Sequence, residues 1–226
     1  MNVLIDNRAQ ILEAFARTVE IMILGGLIAL VLGTVVAAMR VSPIAFARWV
    51  GAAYVNVVRN TPLLLIMFIF VFGLPELDVR PELKLGNGLL NFDVFFVFAT
   101  LAIGIYTAAF VCEAIRSGIN SVPVGQAEAA RSIGLTFGQS LREVILPQAF
   151  RGAIAPLGST LIALIKNTTV ASVVGVGEAA KVMADMVENE TASIALFAVF
   201  AIGFVILTLP LGIGFTELSR KLSVKR

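Results

Sequence analysis

Five stretches of this chain are long and apolar enough to cross a lipid bilayer: residues 19–39, 49–73, 94–112, 153–174 and 194–216. A spanning helix needs about 20 mostly apolar residues to match a hydrocarbon core of about 30 Å. Backbone polar groups inside lipid must be satisfied internally, and a continuous apolar run does that as a helix. The rest of the composition agrees. Of 226 residues, 58% are hydrophobic and 14% charged, against about 25% charged in soluble domains. The expected fold class is therefore all-α integral membrane, with about five transmembrane helices.

Residues 1–18 read as an N-terminal segment, in which 9–17 form a short amphipathic helix lying on the membrane surface. Residues 19–216 form the transmembrane domain, interrupted by a polar loop at 113–152, and 217–226 form a tail. Segments 74–92 and 175–192, rich in Pro, Gly, Asn or charge, fall outside the bilayer core. Asp6, Arg8, Glu13 and Arg17 precede the first apolar run, unlike the basic start of a secretory signal, so that run is expected to be retained.

Basic residues in short loops set the orientation. One side holds Arg40, Arg48, Arg116, Arg131, Arg142, Arg151, Arg220, Lys221, Lys225 and Arg226; the other holds Arg8, Arg17, Arg80, Lys84 and Lys181. The first set belongs in the cytoplasm. The N-terminus is then outside, the C-terminus inside, and the 113–152 loop cytoplasmic.

Several chemistries lack their residues. There is no histidine, and Cys112 is the single cysteine, so a metal set or a disulfide framework is not expected. No pair of acids lies within a span to move protons. No GxxxxGK[ST] phosphate loop is present, so the chain is not expected to hydrolyse ATP by itself. A net charge of +2 gives no reason to invoke nucleic acid. A secondary transporter or channel remains the rival class, although the coupling acids or inverted repeat such proteins use are not evident.

Two basic residues do lie within spans. Arg59 is ten residues past Trp49, about 15 Å along a helix, and Lys166 falls in the outer half of its span. Charges at such depth normally face a partner or a water-filled path. No acid is expected at the depth of Arg59, which leaves it open to a ligand. Arg59-Asn60-Thr61-Pro62 and Lys166-Asn167-Thr168-Thr169 share a basic-Asn-Thr pattern. Pro62 frees the carbonyl of Val58 and should break the helix there. These seven positions, Arg59, Asn60, Thr61, Pro62, Lys166, Asn167 and Thr168, are the candidate substrate-binding residues.

The 113–152 loop carries a second signal. Ser121 and Pro123 read as start signals for a short helix, and Gly134 as its left-handed terminator. Thr136 and Gln139 match a capping box for a second helix, which Pro147 should kink or end. The spacing of Glu128-Ala129-Ala130, Gly134, Val144, Leu146 and Pro147 resembles the EAA loop of bacterial ABC importer permeases, with Val144 in place of the usual Ile. The RNTPLL string at 59–64, the KNTT string followed by VGVGE and this loop are together similar to the polar amino acid subfamily, over about residues 18–216. Ala53, Tyr54, Asn56 and the 116–122 stretch look like glutamate permeases of actinobacterial type.

The resemblance implies a type I importer fold in the bacterial inner membrane. Glu128, Ala129, Ala130, Gly134, Leu146 and Pro147 would couple to a cytoplasmic ATPase dimer that binds ATP and Mg. A second permease, identical or paralogous, and an extracytoplasmic binding protein would complete the machine. Two intramembrane cations without an acid favour an acidic amino acid such as glutamate. Glutamine or a basic amino acid is the alternative.

Overall fold

The computed structural model describes residues 6–79, 83–85, 90–189 and 194–222. The chain forms α1 (Arg8–Val41), α2 (Ala45–Asn60), α3 (Leu63–Glu76), a small hairpin, α4 (Val94–Asn120), α5 (Val124–Ser132), α6 (Leu146–Asn167), α7 (Ala179–Asn189) and α8 (Ile194–Leu222). In the hairpin, β1 (Leu83–Leu85) pairs antiparallel with β2 (Leu90–Phe92), inside the segment expected to be a loop. Among the described residues the architecture is all-helical apart from this hairpin. Four helical segments are each long and apolar enough to cross a membrane, and the bent pair α2–α3 makes a fifth. The first five residues, the tips at 80–82, 86–89 and 190–193, and the tail beyond Leu222 lie outside the described residues, and with them Arg80, Lys225 and Arg226.

The central helix is α4, which packs along α1 on one side and α6 on the other. Lipid is as apolar as leucine, so helices associate through close packing rather than hydrophobic exclusion, and small residues permit it. A Cβ on Gly33 would sit 2.6 Å from the Val111 side chain, and one on Gly118 would sit 2.3 Å from the Ala149 carbonyl. Neither position has room for a larger side chain without moving a backbone. By contrast α8 is the least buried span, with Ile202, Val205, Ile206 and Leu209 facing outward.

The span expected at 49–73 is broken where Pro62 predicts. The axes of α2 and α3 bend by 103° across Thr61–Pro62. The carbonyls left over at the end of α2 are satisfied locally: Asn60 Nδ2 donates to Asn56 O (2.7 Å), Thr61 Oγ1 to Val57 O (2.8 Å) and the Thr61 N–H to Val58 O (3.3 Å).

Two boundaries differ from the sequence expectation. Residues 9–17 are not a separate surface helix. They are the outer end of α1, whose 34 residues make about 51 Å of helix, well beyond the bilayer core. Their apolar face is covered by protein: Ile11, Ala14 and Phe15 pack against Val182, Met186, Leu196 and Phe200, and the Phe15 and Phe200 rings stack at 5.7 Å. Amphipathicity states that a face needs cover, not what covers it. The loop expected at 113–152 is also shorter, because α4 continues through Asn120 and α6 begins at Leu146.

The outer ends of α1 and α7 are tied by buried polar groups. Thr18, fully buried, accepts from the Ala179 N–H (3.1 Å) and lies 3.4 Å from the Glu178 carboxyl, which in turn accepts from the Lys181 N–H (2.9 Å). Burial pushes the Glu178 carboxyl above the ordinary carboxylate range. The VGVGE string is thus the turn that starts α7 and docks it on α1, with Gly175 in the left-handed region at φ 87°.

Candidate functional site

The α4–α6 connection folds as its sequence predicts. At the end of α5 the Leu135 N–H bonds to Ala130 O (3.1 Å) and the Gly134 N–H to Arg131 O (3.0 Å), with Gly134 at φ 87°. These two bonds and the left-handed glycine form a Schellman termination. The next turn is a reciprocal capping box: the Gln139 N–H donates to Thr136 Oγ1 (3.3 Å) and the Thr136 N–H to Gln139 Oε1 (2.9 Å). Ser121 is not the cap of α5. Its hydroxyl donates back to Gly118 O (2.7 Å), and Pro123 is the residue at the start of α5.

Pro147 neither ends nor interrupts the helix. A π-helical turn at Ser140–Ile145 runs directly into α6, so Pro147 lies within a continuous helical run just after that widened turn. The result is a short, rigid α5 braced against the π turn through buried Ala130. Glu128 and Ala129 are exposed, as are the apolar Val124, Ile133 and Leu146. An exposed helix with apolar ends and a fixed termination is suited to fill a groove on another protein.

Arg59 has an acidic neighbour, contrary to expectation. Glu113 lies within α4, and three guanidinium groups converge on it. Arg40 from the end of α1 hydrogen-bonds Oε1, Arg116 approaches Oε1 at 3.3 Å, and Arg59 approaches Oε2 at 3.7 Å. The apolar run stops at Cys112, which made Glu113 look like the start of a loop; the helix itself continues for two more turns. The Glu113/Arg116 spacing of i, i+3 was the available sign that it does so. The cluster carries an excess of two positive charges.

A cavity of about 400 Å³ lies between α4 and α6. Tyr106, Thr107 and Phe110 line one wall, and Ser159, Thr160 and Asn167 the other. Arg59 does not line the cavity; its guanidinium sits 5.5 Å from the centre of the ring of Phe110, which does. Thr107 is 3% exposed and its hydroxyl has no hydrogen-bond partner among the described residues. A buried, unpaired hydroxyl lining a cavity is a group that a ligand or water can satisfy. Sequence reading missed Tyr106, Thr107, Phe110 and Ser159, because isolated polar or aromatic residues in an apolar span carry no local signal.

The seven candidate substrate residues are not gathered into one site. Asn167 lines this cavity, whereas Lys166, one residue earlier on α6, lines a separate groove between α6 and α8 beside Val205, Thr208 and Leu209. Asn60 and Thr61 are engaged in capping α2, and Pro62 opens α3. Thr168 is buried and donates to Ile165 O (2.7 Å), while Thr169 donates to Lys166 O (2.7 Å). The shared basic-Asn-Thr pattern therefore has a local cause: in both places it marks where a helix ends, at the bend after α2 and at the 3₁₀ turn Thr168–Val174 after α6.

Comparison with known proteins places this geometry. The family model described as "Binding-protein-dependent transport system inner membrane component" matches residues 14–224. The glutamate transport system permease protein GluC of Corynebacterium glutamicum is 48% identical over 98% of this chain and 97% of its own length. The probable glutamine ABC transporter permease protein GlnM of Bacillus subtilis is 39% identical over the same shares. A crystal structure of an amino acid ABC transporter with histidines superposes with a TM-score of 0.84 at 26% identity, covering 97% of each chain. The methionine transporter MetNI shares the fold, with a TM-score of 0.76 at 18% identity over 97% of this chain and 99% of that one. The chain belongs to the inner-membrane permease components of binding-protein-dependent ABC importers, which work with a separate ATPase and a binding protein.

Proposed function

We propose that this permease carries glutamate, or a closely related acidic amino acid, inward through the α4–α6 cavity. The observation that carries the reading is an excess of positive charge, three arginines against one carboxylate, linked to the cavity where Arg59 meets the ring of the cavity-lining Phe110. A guanidinium in a partly desolvated site binds a carboxylate in a two-pronged, charge-assisted way. Arg59 is the arginine aimed at the cavity through Phe110, and it takes a substrate carboxylate. Asn167, Thr107 and Tyr106 supply hydrogen-bonding groups along the path. Lys166, at the far end of α6, adds positive charge beside that path rather than a direct contact within it. Relatives named as glutamate permeases support the same substrate.

The exposed face of α5, with Glu128, Ala129, Ala130 and Gly134, docks in the ATPase; Leu146 and Pro147 anchor it through the start of α6. The working unit is two permeases, identical or paralogous, with two ATPase subunits that bind ATP and Mg. The α4–α5 end faces the cytoplasm, and an extracytoplasmic binding protein delivers substrate at the opposite end.

The test is competition of labelled glutamate uptake in proteoliposomes holding the complete complex, using a permease variant that works without the binding protein. Glutamate should compete best, glutamine less well and arginine least, because a cation is repelled by the cluster in a low-dielectric site. Equal competition by glutamate and arginine would remove the electrostatic argument.

A further inference from the structure

We infer that Glu113 is a tethered stand-in for the substrate carboxylate: it holds Arg59 when the cavity is empty, yields it to substrate, and takes it back at release. The inference rests on the reading of Arg59 as the carboxylate-binding residue and adds the group that competes for it.

The asymmetry of the cluster points to this role. One carboxylate oxygen, Oε1, is held by Arg40 and by Arg116 at 3.3 Å. The other, Oε2, meets only Arg59 among the described residues, at 3.7 Å, an ion pair without a hydrogen bond. The Arg40 side chain is 15% exposed and that of Arg116 28%, whereas that of Arg59 is 45% exposed. Glu113 is thus fixed by two arginines on one side and loosely engages the third on the other. Arg59 rests at the same time against Phe110, which lines the cavity. A small rotation of its side chain would exchange Oε2 for a carboxylate entering past Phe110.

The exchange has a physical purpose. An arginine within a membrane-embedded protein is costly when uncompensated, so Arg59 needs an anion both before and after substrate passes. An internal anion also weakens substrate binding by the amount of its own attraction, which hastens release. Glu113 therefore sets specificity for an anionic group and limits how tightly that group is held. Because Arg40 and Arg116 keep Glu113 in place, it remains available to recapture Arg59.

The experiment measures binding of labelled glutamate to the complete permease–ATPase complex in nanodiscs, without the binding protein, and uptake by the same complexes in proteoliposomes. Glu113→Gln should tighten binding about tenfold, within the usual range of coupling between two competing groups, and lower both the KM and the maximal rate of uptake. Glu113→Asp keeps the charge for Arg40 and Arg116 but withdraws it from Arg59, and should shift both quantities in the same direction by less. In an Arg59→Ala background, Glu113→Gln should change binding no further. Weaker or unchanged binding in both Glu113 variants, with binding still lost in Arg59→Ala, would overturn the inference and leave Arg59 as the carboxylate site. Failure of both Glu113 variants to assemble would make Glu113 a purely structural ion-pair partner and also overturn it. Unchanged binding in Arg59→Ala would instead overturn the reading of Arg59 itself.

Discussion

Glu128→Lys and Gly134→Asp are each expected to abolish ATP-driven uptake while leaving the permease folded and inserted. The structure explains why the fold should survive. Glu128 is exposed on α5, and among the described residues nothing lies within 4 Å of where a Cβ on Gly134 would stand. The cost of Asp at a φ of 87° is about 1–2 kcal/mol, confined to the backbone of one turn. The same turn sets the angle at which α5 leaves the π turn, and a new carboxylate there projects into the space a docked ATPase would fill. The readout is ATP hydrolysis by the complex with and without substrate, next to uptake. Hydrolysis that no longer responds to substrate, with uptake lost, is the expected pair. Normal uptake in both variants would show that α5 is only a connector.

Arg59→Ala is expected to reduce glutamate uptake by roughly 10- to 150-fold, the equivalent of losing a charge-assisted hydrogen bond of about 1.5–3 kcal/mol. Assembly with the ATPase should be intact, since Arg40 and Arg116 still neutralise Glu113. Co-purification of the ATPase with the variant permease checks this alongside uptake. Loss of assembly would mean that Arg59 serves the packing of α2 on α4 rather than the substrate.

What could be read from the sequence depended on whether its cause was local. The Schellman turn at Gly134, the capping box at Thr136–Gln139 and the break at Pro62 were all legible, because each is decided by residues within a few positions. The five apolar segments were legible because a bilayer imposes a length. The ion cluster was not, because Glu113 meets Arg40 and Arg59 across helix packing and the end of an apolar run was taken for the end of a helix. The outer end of α1 was misplaced for the same reason: the partners of Ile11 and Phe15 are some 170 or more residues away in the chain, on α7 and α8. The repeated basic-Asn-Thr strings have a local cause, closing the ends of α2 and α6, and nothing within either string sets which cleft Lys166 and Asn167 line.

This chain is the membrane path of an ATP-driven amino acid importer, with ATP hydrolysis on a separate subunit. Glutamate uptake tests this in proteoliposomes containing the chain alone, the chain with its ATPase, and the full complex with binding protein, each with and without ATP on the ATPase side. Accumulation is expected only in assemblies that contain the ATPase and ATP, increased by the binding protein. Accumulation by the chain alone, or accumulation driven by an ion gradient in the absence of ATP, would contradict it.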